Sequence, residues 1–215
     1  MPRKSNQTLK EIFLEAFKYY KKNDFKSAEI NCYKILNINA NHIDSIALLA
    51  TIFARSNNYI KAKEFMLKAL KIEPNNKSVL NNLGTAHREL GEFDKAINIY
   101  KKLLEIDSDH TNANYNLGLV YYSLRNFKNA KQYLKKTTVI QKNYALAYFS
   151  LANVHVELKE IKEAVSCYQK AIELNPSIIS AYNNLGLLYR DLNDFPNALA
   201  CHENSIKINP NYANA

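Results

Sequence analysis

Five histidines and three cysteines are the side chains through which this 215-residue chain could do acid–base or nucleophilic chemistry. A catalytic histidine or thiol needs a partner group that orients or activates it. The spacing supplies none. His87 and His155 stand at equivalent places of a recurring 34-residue pattern, where other copies carry Tyr19, Phe53, Tyr121 and Tyr189, so they read as aromatic fillers between helices. His42 and His110 each close a copy of the pattern, and His202 replaces an aromatic residue. None has a Cys, Asp or Glu at a ligand spacing that repeats or converges, so no metal is expected. Cys32, Cys167 and Cys201 are few and odd in number, and read as reduced, structural thiols. Neither a Gly-rich phosphate loop nor a nucleophile elbow is present. The chain reads as a non-enzyme with no cofactor.

The elements that hold these residues follow from Leu80 to Asp107, LNNLGTAHRELGEFDKAINIYKKLLEID, which reads as two amphipathic helices joined by a tight turn. The pattern repeats without insertion in residues 9–42, 43–76, 77–110, 111–144, 145–178 and 179–212. Its twentieth place is always alanine: Ala28, Ala62, Ala96, Ala130, Ala164 and Ala198. Its eighth is always small: Ala16, Ala50, Gly84, Gly118, Ala152 and Gly186. Helices approach closely only where side chains are small, so these two places are expected to mark one close crossing. Helices of about a dozen residues are too short to be stable alone in water. Hairpins must therefore stack, each burying its apolar face on the next. Pro74, Pro176 and Pro210 end a second helix at the same place, and Pro196 falls in a helix's first turn, where its missing N–H costs little.

This set of residues closely resembles the tetratricopeptide repeat family. Tyr148, Leu151, Ala152, His155, Ala164, Tyr168, Ala171 and Pro176 nearly complete its pattern. Tyr182, Leu185, Gly186, Tyr189, Ala198 and Pro210 show it again. Leu103 and Thr137 depart from it at the second alanine, and Glu15 departs at the leucine of the first copy. The resemblance implies an all-α fold, a right-handed α-solenoid superhelix of antiparallel helix pairs. Residues 1–8 are expected to be a disordered basic tail, and residues 213–215 to begin a further repeat. The first helix of 9–42 places Phe13, Phe17 and Tyr20 on one face, which is expected to pack on the next repeat.

The same resemblance places the first helices on a concave groove. There it puts Asn81, Asn82, Thr85, Arg88, Asn112, Tyr115, Asn116, Tyr122, Phe149, Asn153, Asn183, Asn184 and Arg190. Carboxamides carry donors and an acceptor, so a row of them can pair with any peptide main chain, and tyrosine adds rigid contact area with a polar tip. Asn82, Asn116 and Asn184 share the sixth place. They resemble the asparagine ladder of O-linked N-acetylglucosamine transferase, broken here by Leu14, Leu48 and Ser150. A two-carboxylate clamp for acidic C-terminal tails would need cations beside such an asparagine. Ala47, Thr51, Asn112 and Asn116 surround Asn82 instead, so that ligand is not expected.

The net charge of +9 is uneven, since residues 111–144 contain no Asp or Glu. Lys128, Lys131 and Lys135 follow helical spacing on one stripe, flanked by Lys136, and form a candidate basic docking patch; solvation of an exposed helix is the favoured reading. A mostly neutral groove makes nucleic acid an unexpected partner. Neither a signal peptide nor an 18-residue apolar run is seen, so no membrane association is expected and a cytoplasmic location is the default. The expected function is a protein–protein interaction scaffold holding an extended peptide or protein segment in its groove. Two alternatives stand beside it: the substrate-recruiting arm of a larger glycosyltransferase or sulfotransferase, and a module that forms homo-oligomers through an uncapped C-terminal hairpin.

Overall fold

A computed structural model describes residues 2–210, with side chains from Thr8 onward. The expected further repeat at 213–215 lies outside the described residues. Among those described there are twelve helices and no strand. They are α1 (Pro2–Lys21), α2 (Phe25–Ile38), α3 (Ile43–Arg55), α4 (Tyr59–Ile72), α5 (Lys77–Glu89) and α6 (Phe93–Ile106), then α7 (Thr111–Ser123), α8 (Phe127–Ile140), α9 (Ala145–Glu157), α10 (Ile161–Leu174), α11 (Ile179–Asp191) and α12 (Phe195–Ile208). The fold is all-α and of solenoid type. Helix α1 runs from Pro2 to Lys21, so its first turns fall within the basic N-terminal stretch.

The chain divides into two compact units, Met1–Ser108 and Asp109–Ala215. In each, consecutive helices pack as hairpins, and the second helix of one hairpin packs on the first helix of the next: α2 on α3, α4 on α5, α8 on α9, α10 on α11. The core of the first unit runs through Ala16, Cys32, Leu49, Ile52, Met66 and Leu83, with Phe13 and Tyr20 packed against it, as the packing reading of that aromatic face requires. Phe17 stays exposed. In the second unit Ala152, Ala164, Tyr168, Ala181 and Leu185 form one such cluster.

The close crossing has a partner that spacing alone did not identify. The six alanines at the twentieth place are all buried. The small eighth place meets the twenty-fourth place of the same repeat: a Cβ on Gly84 would lie 2.5 Å from the Tyr100 ring, one on Gly118 2.7 Å from Leu134, and one on Gly186 2.9 Å from His202.

The hairpin turn is set at the fifteenth place, which is left-handed in every repeat. Gly91 takes φ 71°, but Asn23, Asn57, Arg125, Lys159 and Asn193 adopt the same region without being glycine. Second helices then start on a cap. Asp24, Asn58, Asn126 and Asp194 accept the backbone N–H three residues on, whereas Glu92 and Glu160 do not. First helices use His42, Asn76 and His110 in the same way, so two of the histidines act as helix caps through Nδ1.

Candidate functional site

Glu92 and Glu160 leave their caps unmade because their carboxylates are bound elsewhere. His87 Nδ1 contacts Glu92 Oε2, and Lys63 Nζ from the preceding hairpin reaches the same carboxylate at 3.0 and 3.1 Å. In the second unit His155 Nδ1 lies 2.5 Å from Glu160 Oε2, and Lys131 Nζ donates to both Glu160 oxygens at 2.7 Å. This corrects the reading that no histidine has a repeating carboxylate partner. His87 and His155 are buried, and each arrangement ties one hairpin to the next. Second and fourth repeats instead stack aromatics at the histidine's place: Phe53 on Phe65 at 5.5 Å and Tyr121 on Tyr133 at 5.6 Å.

The cysteines are free thiols. Burial pushes Cys32 up to about 12 and Cys167 up to about 11, and raises Cys201 as well, so none is poised as a thiolate nucleophile. Among the described residues no group of three or more His, Cys, Asp or Glu could hold a metal ion. No helix among them is long and apolar enough to cross a membrane.

The expected groove residues fall into two sets. In the first unit Asn82 and Thr85 line a cavity of about 240 Å³ with Thr51, Ala54, Arg55 and Tyr59. Asn81 Nδ2 donates to Asn82 Oδ1 at 3.5 Å, and the Thr85 hydroxyl lies 3.0 Å from that of the fully buried Tyr100. Arg88 pairs with its neighbour Glu89 at 2.5 Å.

In the second unit Tyr122, Asn153 and Asn184 line a cavity of about 320 Å³ with Val156, Glu157, Tyr168, Leu187 and Asp191. Tyr168 donates its hydroxyl proton to Asn153 Oδ1 at 2.6 Å, and Asn184 Nδ2 reaches Asn153 Oδ1 at 3.1 Å and the Tyr168 oxygen at 3.3 Å. These bonds engage the Asn153 carbonyl oxygen and the Asn184 amide nitrogen, and take up neither the Asn153 amide nitrogen nor the Asn184 carbonyl oxygen. Burial first, then the Glu157 charge, raises the Tyr122 hydroxyl, which keeps it a neutral donor. Phe149 packs on Tyr168 at 6.0 Å and Tyr115 on Tyr144 at 5.0 Å. Asn112 and Arg190 are exposed, and Asn116 is half-buried.

Asn183 departs from expectation. It is 5% exposed, and neither end of its amide has a hydrogen-bond partner. It belongs to the packed interior and not to an open groove surface.

The basic stripe is also reduced. Lys131 is engaged by Glu160, and Lys136 lies 3.2 Å from Asp109, which leaves Lys128 and Lys135 as its exposed charges. Lys131 and Lys135 border a cavity of about 580 Å³ with Lys162, Glu163 and Cys167 on the side of the second helices.

Family models described as TPR repeat match residues 84–124 and 152–189, and models described as tetratricopeptide repeat match 43–76, 65–98, 111–143 and 179–212. The chain belongs to the tetratricopeptide repeat family. No curated protein sequence matches it significantly. Among solved structures, PilF of Pseudomonas aeruginosa is 19% identical with a TM-score of 0.83, covering 97% of this chain and 95% of its own. A tetratricopeptide repeat protein from Parabacteroides merdae is 25% identical with a TM-score of 0.78, over 94% and 80% of the two chains. YrrB, described as a TPR protein with an unusual peptide-binding site, is 21% identical with a TM-score of 0.67, over 85% and 94%.

Proposed function

We propose that this tetratricopeptide repeat protein is an interaction module that holds an extended segment of a protein partner along the face of its first helices. The observation that carries this reading is the Asn153–Tyr168–Asn184 network at the cavity between α9 and α11. It fixes two carboxamides by one another and by a buried tyrosine, while each keeps a polar atom for a ligand. A main-chain amide offers the complementary donor and acceptor, and preorganised side chains lose little entropy on binding. YrrB, whose peptide site is stated of that protein, shares the fold and lends the reading support by analogy.

Selection from a random-peptide display library, followed by binding to Asn82→Ala/Asn116→Ala/Asn184→Ala, tests it. Peptides should bind the wild-type chain and lose at least about tenfold in affinity to the triple variant, at unchanged helicity. Equal binding to both would remove the asparagine row from the site.

A second reading, self-association through the last hairpin, is favoured by Phe195 and Leu199 on α12, each 61% exposed, with Ile206 also open. Sedimentation across a concentration series checks it, with a rising mass expected.

A further inference from the structure

The cavity that carries the interaction reading also has two carboxylates, Glu157 and Asp191, in its lining. In both units a cavity opens at matching places of adjacent first helices, but its rim differs. In the first unit the thirteenth place is Arg55, whose guanidinium stands 5.1 Å from the Tyr20 ring centroid. In the second unit the two thirteenth places on the cavity are Glu157 and Asp191. Between them the wall is apolar and aromatic: Val156, Leu187 and the rings of Tyr122 and Tyr168.

We infer that the second-unit cavity is a specificity pocket for an arginine side chain of the extended segment. This rests on the interaction reading and names the chemistry its partner must carry. The pocket matches the parts of that side chain in order. Val156 and Leu187 receive the aliphatic stem, the Tyr122 ring borders the pocket within reach of a planar cation, and Glu157 and Asp191 accept charge-assisted hydrogen bonds from the guanidinium fork. Asn153 and Asn184, beside it, hold the main chain on either side of that residue.

The cations now near those carboxylates do not block entry. Arg125 approaches Glu157 only to 3.8 Å and is 79% exposed, and Arg190 pairs with its own neighbour Asp191 at 3.2 Å on the open surface. Exposed pairs of this kind contribute little, so an incoming arginine that also buries its stem displaces them.

The test uses peptides selected from the random display library on the full chain. Selected peptides should carry arginine at one fixed position. Replacing that arginine by citrulline, a neutral group of the same shape, should weaken binding about tenfold. Glu157→Gln/Asp191→Asn should weaken the arginine peptide by a similar factor and leave the citrulline peptide unchanged, because the two changes remove the same interaction. Both carboxylates lie at the surface, and circular dichroism should confirm intact helicity. Selected peptides without arginine enrichment, or equal binding of the arginine and citrulline forms, would overturn the pocket. If those same peptides still lose affinity to Asn82→Ala/Asn116→Ala/Asn184→Ala, the interaction reading stands without it. A library that yields no bound peptide overturns both.

Discussion

His155 Nδ1 lies 2.5 Å from the Glu160 carboxylate, and the same contact is made two repeats earlier between His87 and Glu92. In each case the glutamate occupies the place where other repeats cap the second helix with Asp or Asn. It exchanges that cap for a lysine of the preceding hairpin, Lys63 or Lys131. The trade turns a local helix signal into a link between hairpins.

That link has an acid limit. The Lys63 hydrogen bond, then the one with His87, holds the Glu92 carboxyl at about 2, below its ordinary 4.5. A carboxyl depressed in the folded state contributes stability that is fully present above its ordinary value and is lost as pH falls toward the folded one. Denaturant midpoints of the wild type should therefore fall more steeply between pH 4.5 and 2 than those of Glu92→Gln. Parallel curves would show the carboxylate to be thermodynamically silent.

Gly84→Ala should destabilise the protein by about 1–3 kcal/mol, through overpacking. The new Cβ would lie 2.5 Å from the Tyr100 ring, which is fully buried and hydrogen-bonded to Thr85, so the ring has little room to yield. Gly91→Ala meets nothing within 4 Å, and its cost of about 1 kcal/mol comes from the left-handed φ of 71° instead. Thermal melts of both variants separate the steric cause from the backbone one.

Asn183→Leu should stabilise the fold by about 1 kcal/mol, since it removes a buried amide with neither end bonded and keeps the side chain's shape. Urea unfolding measures it; a loss would mean the amide has a partner such as ordered water.

Lys159 adopts φ 59° at the hairpin turn where the third repeat has Gly91. Relief of the left-handed strain is worth about 1–2 kcal/mol, offset by about 0.4–1 kcal/mol of extra freedom in the unfolded chain. Lys159→Gly should thus raise stability slightly, read as a small upward shift in melting temperature.

The sequence by itself determined the hairpins. Alanine at the twentieth place and a small residue at the eighth recur because close approach of two helices tolerates nothing larger, and a steric limit leaves its mark on residue type. The apolar periodicity gave the helices, since burial acts on each repeat alike. The left-handed turn was hidden, because asparagine, arginine and lysine reach that conformation without announcing it as glycine does. Only the tertiary structure decided which partner each special residue has. Nothing in the spacing says that Glu160 bonds His155 and Lys131 and so gives up its cap, or that Asn184 turns toward Asn153 and Tyr168 while Asn183, its neighbour, is buried without a partner. Those outcomes depend on contacts between hairpins, which set the direction and surroundings of a side chain and are not encoded at any single place of the repeat.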